Sequence, residues 1–225
     1  MPMILLETLS IKHLIRPHLT AITTPPMFLI IHGYGADEKD LFSLVKDLPA
    51  DFFVISLQAL HPLAFGGFAW YAMDFSGERP TVDLPQAIQA RKKITSFIDE
   101  AVVHYQLDKN RVWLCGFSQG AILSYAIALH HPKKVSKVIV LSGFPHKNLL
   151  PKEVKRVDYT HLNFFVSHGK EDLIIPIAWA RQGPIIFDHY KIPYLYKEYE
   201  AGHGLNASNY GDLMQWIKVI FKKKE

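Results

Sequence analysis

The sequence has little cysteine, no long hydrophobic run and no recognisable leader segment. Cys115 is the only cysteine among 225 residues, so an intramolecular disulfide cannot form and a reducing compartment is favoured. No apolar stretch reaches the roughly 18 residues that a membrane-spanning helix needs. Residues 1–10 contain Glu7 and no basic segment of the kind that begins a signal peptide. We therefore expect a cytoplasmic protein without a membrane span.

The sequence also lacks a concentrated charge of one sign, repeats and low-complexity linkers. The net charge is +4 and the Lys and Arg residues are scattered, with no nucleic-acid-binding signature, so we expect no nucleic-acid partner. Hydrophobic residues make up 49% and charged residues 20% of the chain, which is typical of a globular protein. The sequence predicts one domain spanning residues 1–225 and leaves its oligomeric state open.

What the chain does contain is an alternation of strand-like and helix-like segments. Short, continuous apolar runs predict strands covered on both faces. They are Met27–Ile31, Phe52–Leu57, Arg111–Cys115, Lys137–Leu141, Asn163–Ser167 and Tyr194–Tyr199. Ile11–His18 is a weaker candidate for an edge strand. Helical periodicity covers the segments between and after them, namely Leu84–Tyr105, Gln119–Leu129, Pro176–His189 with a break at Gly183–Pro184, and a C-terminal segment around Leu213–Ile220. This order predicts an α/β fold with a mostly parallel central sheet and helices on both faces.

The strongest local motif is Gly116-Phe117-Ser118-Gln119-Gly120. It matches G-x-S-x-G between a predicted strand and a predicted buried helix, which is the context of a nucleophile elbow. The serine of such an elbow sits on a sharp turn, and the flanking glycines leave room for strand and helix to approach each other. An ordinary capping serine in a glycine-rich connection is the alternative. The context favours Ser118 as a nucleophile.

A serine hydroxyl needs a neighbouring base, and the base in turn needs an acid. His203 follows the last predicted strand within Ala201-Gly202-His203-Gly204, where we expect the glycines to let the backbone turn the imidazole toward the sheet. Asp172 follows the preceding strand and is favoured as the acid over its neighbour Glu171, although it could also be a helix cap. The remaining histidines after Ser118 have weaker context; of these, His168 is expected to shape the loop before Asp172.

Acyl transfer also needs donors for the oxyanion that forms on the substrate. The first expected donor is the backbone N–H of Gln119, directly after the nucleophile. The second is expected from His32-Gly33-Tyr34-Gly35 after an early strand, with the N–H of Tyr34 favoured. A plain glycine-rich turn is the alternative there. This mechanism requires no cofactor and no metal ion.

Together these segments resemble the phospholipase/carboxylesterase family of α/β-hydrolases, which includes bacterial carboxylesterases and acyl-protein thioesterases. The resemblance rests on residues 32–37, residues 116–121, His168-Gly169 with Asp172, Gly202-His203, and the aromatic residues 68–71. It implies an α/β-hydrolase fold without a large lid domain, acting on short to medium acyl esters, thioesters or lysophospholipids. It also assigns Ser118, Asp172 and His203 to a catalytic triad.

The substrate pocket is less certain from the sequence. Leu63, Phe65, Phe68, Trp70 and Tyr71 crowd one loop and could line an apolar acyl pocket, but core packing explains them equally well. Two further readings keep the same residues: an acyltransferase or peptidase that uses the triad on another acceptor or bond, and a non-catalytic relative that only binds a ligand. A small acyl ester or thioester is the expected partner.

Overall fold

Seven strands form the central sheet. The computed structural model describes residues 4–74, 76, 81–152 and 158–222. In chain order the strands are β1 (His13–Arg16), β2 (Pro26–Ile31), β3 (Phe53–Leu57), β4 (Asp108–Phe117), β5 (Lys137–Leu141), β6 (Asn163–Gly169) and β7 (Tyr194–Tyr199). The sheet order is β1-β3-β2-β4-β5-β6-β7. Only β1 is antiparallel to its neighbour, and the other described pairings are parallel. The sequence prediction of a mostly parallel sheet is confirmed.

Helices cover both faces of this sheet. They are α1 (Leu84–His104), α2 (Gln119–His130), α3 (Ile177–Ala180), α4 (Gln182–Tyr190) and α5 (Ala207–Lys222), with 3₁₀ turns at Asp40–Asp47, Pro132–Lys134 and Lys147–Leu149. On one face α1, α2 and α4 bury side chains such as Phe97 and Phe187. On the other face α5 and the first 3₁₀ turn bury Leu213 and Leu44. The sheet thus separates two apolar cores, which is why every residue of β2 is buried.

Local sequence features explain several helix boundaries. Asp83 accepts a hydrogen bond from the backbone N–H of Gln86, and a proline occupies the first turn of α1, as both rules for helix starts predict. The expected break at Gly183–Pro184 is wrong by a few residues. The chain instead turns at Arg181, and Pro184 lies in the first turn of α4, where a missing N–H has no cost.

The long segment before α1 contains short pieces of regular structure. Two antiparallel strand pairs lie within it: His61–Pro62 with Phe68–Ala69, and Met73–Asp74 with Thr81–Val82. Residues 75 and 77–80 lie outside the described residues. Within the described ranges, no insertion forms a large lid domain. None of the described helices is both long and apolar enough to cross a membrane.

The parallel strands determine where functional residues can gather. The carboxyl ends of β2, β4, β6 and β7 meet at one edge of the sheet, and each is followed by one of the four segments that carry the predicted site. β4 lies between β2 and β5, near the middle of the sheet. Ligands of parallel α/β sheets bind at this edge.

Candidate active site

Ser118 lies on the sharp turn between β4 and α2. Its backbone has φ of 51° and ψ of −114°, a conformation that is strained for a residue with a side chain. Its hydroxyl makes no capping hydrogen bond to the first turn of α2 within the described chain. The alternative of an ordinary capping serine is therefore not supported by the structure.

The flanking glycines of the elbow are required by close backbone contacts. A Cβ atom on Gly116 would lie 2.3 Å from the carbonyl oxygen of Gly120. A Cβ atom on Gly120 would lie 1.9 Å from the carbonyl oxygen of Ile31. Neither distance is possible between real atoms, so a side chain at either position would push β4, α2 and β2 apart. The close approach expected from the motif is present.

His203 lies between Ser118 and Asp172. Its Nε2 is 3.0 Å from the Ser118 hydroxyl oxygen, and its Nδ1 is 2.7 Å from Oδ2 of Asp172. The ring of Phe117 packs against the imidazole at 5.1 Å between centroids. The three side chains come from loops separated by up to 85 positions along the chain, and they form one continuous hydrogen-bonded chain. The exposed Glu171 is not part of it.

Asp172 is buried and held from both sides. Oδ1 accepts hydrogen bonds of 2.9 Å from the backbone N–H groups of Ile174 and Ile175, while Oδ2 faces His203. Burial on its own would raise the pKa of Asp172, but hydrogen bonds from His168, His203 and the Ile175 backbone outweigh it and hold the pKa well below its usual range. Asp172 caps this turn rather than a helix, since the residue before α3 is Pro176. A charged carboxylate at this position can orient and stabilise a protonated imidazole.

The glycine-rich loop after β2 brings Tyr34 to the same place. Gly35 has φ of +79°, which few residues other than glycine adopt. Gly33 has an ordinary φ, but a Cβ there would lie 3.0 Å from the ring of Phe117, so its role is close packing. Tyr34 and Gln119 line the same cavity as Ser118. Gln119 begins α2, and N–H groups in the first turn of a helix have no partner within the helix.

One local argument from the sequence is wrong. The glycines beside His203 were expected to be needed for the turn of the backbone, but neither has a positive φ. A Cβ on Gly202 would make only an ordinary contact at 3.9 Å, and one on Gly204 would meet nothing within 4 Å. The position in this region that requires glycine is Gly169, where a Cβ would lie 2.2 Å from the carbonyl oxygens of Ala201 and Gly202. It is the close approach of the β6 and β7 loops that places His203.

A cavity of about 770 Å³ opens in front of Ser118, a size that suits a small organic ligand. Its apolar lining residues include Met73, Val82, Leu84, Ile122, Phe144, Ile174 and Trp179. Its polar lining residues include His146, Lys147, Asn148 and Gln182. Ser118 and His203 lie at its surface. The cavity can therefore hold a ligand with its reacting atom next to the serine hydroxyl.

None of the five residues suggested for the pocket is among those that line this cavity. Trp70 and Tyr71 are fully buried in the core, whereas the side chain of Phe65 is 73% exposed. Phe68 and Leu63 belong to the hairpin beside the glycine-rich loop, where the N–H of Gly35 donates to the carbonyl of Phe68. The structure thus places this segment beside and beneath the site.

The side chain of Gln119 links the aromatic segment to the elbow. Its Oε1 accepts from the backbone N–H of Trp70 at 3.0 Å, and its Nε2 donates to the carbonyl of Tyr71 at 2.9 Å. The indole N–H of Trp70 donates to the carbonyl of His32. His32 itself accepts from the N–H of Ala59 and donates to the carbonyl of Gly33. The sequence analysis missed these supports, because nothing in the linear pattern pairs residues 49 positions apart.

Apart from Tyr34, Ser118, Gln119 and His203, the residues that line the cavity were not found from the sequence. Phe144 and Trp179 pack against each other with ring centroids 4.9 Å apart. A usable signal was available for the first of them, since Phe144 follows the carboxyl end of β5 at the same edge as the other site loops. Among the described residues, no cluster of three or more His, Cys, Asp or Glu could hold a metal ion.

Comparison with known proteins agrees with this geometry. The sequence pattern of the phospholipase/carboxylesterase family matches residues 23–220. The chain belongs to this family. It is 26% identical over 208 residues to acyl-protein thioesterase 1 of Eremothecium gossypii, covering 85% of this chain and 86% of that protein. The family resemblance seen in the sequence is therefore confirmed.

Solved structures show the same fold. The Bacillus cereus carboxylesterase superposes with a TM-score of 0.81 at 18% identity, covering 94% of this chain and 95% of its own. A carboxylesterase from Mesorhizobium loti also gives 0.81 at 18% identity, covering 96% and 98% of the two chains. The fold is that of the α/β-hydrolases, as predicted. With the family match, the chain is an enzyme, a serine hydrolase of the carboxylesterase and thioesterase type.

Proposed function

We propose that this enzyme hydrolyses carboxylic esters and thioesters. In this proposal Ser118 is the nucleophile, His203 is the general base, and the carboxylate of Asp172 orients His203. The observation that carries the proposal is the hydrogen-bonded chain from Ser118 through His203 to Asp172, with the Ser118 end at the wall of a ligand-sized cavity. The strained backbone of Ser118 supports the same assignment.

In the first half of the proposed reaction, Nε2 of His203 removes the hydroxyl proton of Ser118 as the serine oxygen bonds to the substrate carbonyl carbon. The resulting imidazolium is stabilised by the carboxylate of Asp172. His203 then gives the proton to the departing alcohol or thiol as the bond to the leaving group breaks. In the second half, water attacks the carbonyl carbon of the acyl-serine while His203 takes a proton from it. His203 then gives this proton to the serine oxygen as the bond from that oxygen to the acyl carbon breaks, which releases the carboxylic acid and restores the serine hydroxyl.

The negative charge of each tetrahedral intermediate needs donors close to Ser118. We assign this role to the backbone N–H groups of Tyr34 and Gln119, because both residues line the same cavity as Ser118. Preorganised donors of this kind are worth about 2.7–4 kcal/mol each in the transition state. Gly35 supports the assignment, since its φ of +79° shapes the loop that carries Tyr34.

The substrate class follows from the cavity and the relatives together. A space of about 770 Å³ with many apolar lining residues suits a short to medium acyl chain. The described residues form no lid that would cover a bulky lipid. The similar proteins are named as acyl-protein thioesterase and carboxylesterase. We therefore propose small acyl esters or thioesters as substrates, with lysophospholipids as a further class of ester for the same cavity.

The test is hydrolysis of p-nitrophenyl acetate, butyrate and octanoate by the wild type and by Ser118→Ala. The wild type is expected to turn over at least the shorter esters, and the variant is expected to lose at least about 10³-fold of that rate, because a missing nucleophile leaves only binding and oxyanion stabilisation. Equal activity of both proteins would remove Ser118 from the mechanism. A folded wild type that is inactive on the whole series and on acetyl thioesters would reject the proposal, whereas product transfer to added alcohol or cleavage of peptides would favour the acyltransferase or peptidase alternative.

A further inference from the structure

His168 is a fully buried histidine that the proposed reaction does not use. It is the second-last residue of strand β6, four residues before Asp172. Neither its side chain nor that of Asp172 is exposed to solvent. Burying a polar ring has a cost unless its nitrogens are satisfied. The contacts of its two nitrogens therefore indicate what the ring does.

The two nitrogens of His168 have different surroundings. Nε2 lies 2.8 Å from the carbonyl oxygen of Ile175 and 3.2 Å from Oδ2 of Asp172. Both of these atoms can only accept, so Nε2 carries a hydrogen. Nδ1 is buried and has no hydrogen-bond partner among the described residues. A second hydrogen on Nδ1 would be buried without an acceptor, which favours the neutral ring with its hydrogen on Nε2.

Oδ2 of Asp172 thus lies next to a ring nitrogen of each of two histidines. Nδ1 of His203 is hydrogen-bonded to it at 2.7 Å, and Nε2 of His168, whose N–H bonds the Ile175 carbonyl, lies 3.2 Å from it. Oδ1 is held separately by two backbone N–H groups. Nε2 of His168 also bonds the carbonyl of Ile175. The same ring nitrogen therefore contacts both the Asp172 carboxylate and the end of the turn from residue 168 to 175 that carries it.

We propose that His168 is a positioning residue of the active site: it fixes Oδ2 of Asp172 toward His203 and takes up part of the negative charge of the carboxylate. The inference rests on the proposed roles of Asp172 and His203. His168 does not contact the substrate cavity and transfers no proton in the reaction. It acts through Asp172, in the way that outer hydrogen-bond partners orient the groups that do the chemistry.

Removing the His168 donor has two expected effects on the reaction. The carboxylate becomes free to rotate away from His203, so kcat falls. Without His168, less of the negative charge of the Asp172 carboxylate is offset. The carboxylate therefore stabilises the imidazolium form of His203 more strongly. The acid limb of the pH profile of kcat/KM, which reports loss of the neutral base, should therefore move to higher pH. The other charged and titratable residues that line the cavity are Tyr34, His146 and Lys147, and they are unchanged by such a substitution.

The experiment compares His168→Leu with His168→Gln in the full-length enzyme. Leu removes the donor at similar volume, whereas the amide nitrogen of Gln can occupy the place of Nε2 and restore it. We expect His168→Leu to lose roughly tenfold or more in kcat, since complete loss of acid–base catalysis costs about 10²- to 10⁴-fold. Its KM should stay close to that of the wild type and its acid limb should move to higher pH. His168→Gln should keep most of kcat and the wild-type pH profile.

Two results would overturn the inference. One is a His168→Leu variant with wild-type kcat and an unchanged acid limb. The other is an equal loss of kcat in both variants with an unchanged acid limb, which would indicate a purely structural role. A wild type and a Ser118→Ala variant that are equally inactive would reject the proposed function instead.

A spectroscopic measurement on the wild type keeps the inference testable if the leucine variant fails to fold. In protein labelled with ¹⁵N-histidine, the hydrogen of the His168 ring should be found on Nε2 and not on Nδ1. Its Nε2–H resonance should shift as His203 titrates, because both rings share one carboxylate oxygen. A hydrogen on Nδ1 of His168, or a resonance that does not respond to His203, would contradict the inference without any need for activity.

Discussion

Ser118 has a strained backbone conformation that persists because the tightly packed residues around it enforce it. A positive φ at a residue with a side chain costs of the order of 1–3 kcal/mol and persists where the surroundings enforce it. Here the surroundings are the contacts of Gly116 and Gly120 with backbone oxygens of α2 and β2. The strain turns the hydroxyl away from helix capping and toward His203.

The role of the elbow glycines can be tested by substitution. Gly120→Ala would place a methyl group 1.9 Å from the carbonyl oxygen of Ile31. We expect the free energy of unfolding to fall by at least about 1–3 kcal/mol, the range for overpacking, and esterase activity to fall with it. Urea unfolding and p-nitrophenyl butyrate hydrolysis measure the two effects.

The matched control is Gly211→Ala in α5, where a Cβ would meet nothing within 4 Å. Alanine is favoured over glycine inside a helix by about 0.8–1 kcal/mol, so this variant should be as stable as the wild type or more stable, with unchanged activity. Equal destabilisation of both variants would show that Gly120 is not specially constrained.

Single residues of the site were predictable from the sequence to the extent that each lies in a local motif. Ser118 has its glycines, and His203 and Asp172 follow predicted strands in the order that the fold uses. His168 was expected to shape the loop before Asp172, and its bond to the Ile175 carbonyl does so. Its contact with Oδ2 of Asp172 was not predictable, since it depends on how the turn from 168 to 175 folds.

At the scale of structural elements, buried hydrogen bonds join the start of α2 to the segment before α1. The side chain of Gln119 bonds the backbone of both Trp70 and Tyr71, and the ring of Trp70 bonds the loop after β2. These bonds are buried, so each lost partner leaves an unsatisfied backbone group. The turn that carries Ser118 and the loop that carries Tyr34 are therefore both hydrogen-bonded to the aromatic segment, residues 68–71.

Gln119→Ala tests this coupling while keeping the backbone N–H of residue 119. We expect a loss of about 2–4 kcal/mol in unfolding free energy, from two buried groups at about 1–3 kcal/mol each with partial relaxation. Activity should be reduced and not abolished, because the backbone donor remains. Urea unfolding and kcat measure the two effects.

Gln86→Ala removes a similar bond to the N–H of Ala72 in an exposed setting. Water can replace the lost partner there, so the cost should stay within about 1 kcal/mol. If the two variants lost the same stability, the link between the elbow and the aromatic segment would not be important.

The apolar lining of the cavity gives a prediction about the length of the acyl chain. Val82→Trp would fill part of the cavity, because Val82 is one of its apolar lining residues. We expect the ratio of kcat/KM for octanoate over acetate to fall about tenfold, a reasonable cost for lost apolar contacts in a pocket. Phe65→Ala serves as the control, because Phe65 is exposed and does not line the cavity. A shift with Phe65→Ala and none with Val82→Trp would return the acyl pocket to the loop first suggested by the sequence.

The elements themselves were predicted where the signal is local. Continuous apolar runs identified six strands of the sheet, since a strand buried on both faces has no polar side. The break between α3 and α4 was misplaced, because Gly183 and Pro184 suit the first turn of a helix as well as its end. The cavity lining was not predicted, since Met73 and Val82 meet residues 144–148 only in the folded chain.

At the scale of the whole molecule, the order of strands in the sheet brings the loops of the candidate site together. β4 lies between β2 and β5, so the loops that carry Tyr34, Ser118 and Phe144 are neighbours. β6 and β7 follow along the same edge and bring Asp172 and His203. Two separate cores, one on each face, hold the sheet rigid beneath these loops.

Buried histidines of this framework predict how stability depends on pH. Burial, partly offset by backbone hydrogen bonds, lowers the pKa of His13 and of His32 below 6.5. Below about pH 6.5 both histidines are protonated in the unfolded state, whereas in the folded state they stay neutral until the pH is lower. The unfolded state therefore binds more protons, and the free energy of unfolding falls as the pH falls below about 6.5. The urea midpoint should therefore drop between pH 8 and pH 5. An exposed-site variant, His189→Asn, should show the same dependence, and equal midpoints at the two pH values would contradict the account.

The central claim is that Ser118 becomes acylated with help from His203. Its most direct test is mass spectrometry of the protein after reaction with a fluorophosphonate ester, which traps an activated serine. The account predicts one label per chain, located on the peptide that contains Ser118, absent in Ser118→Ala and formed much more slowly in His203→Ala. A label on another residue, or no label in a wild-type sample that hydrolyses esters, would contradict it.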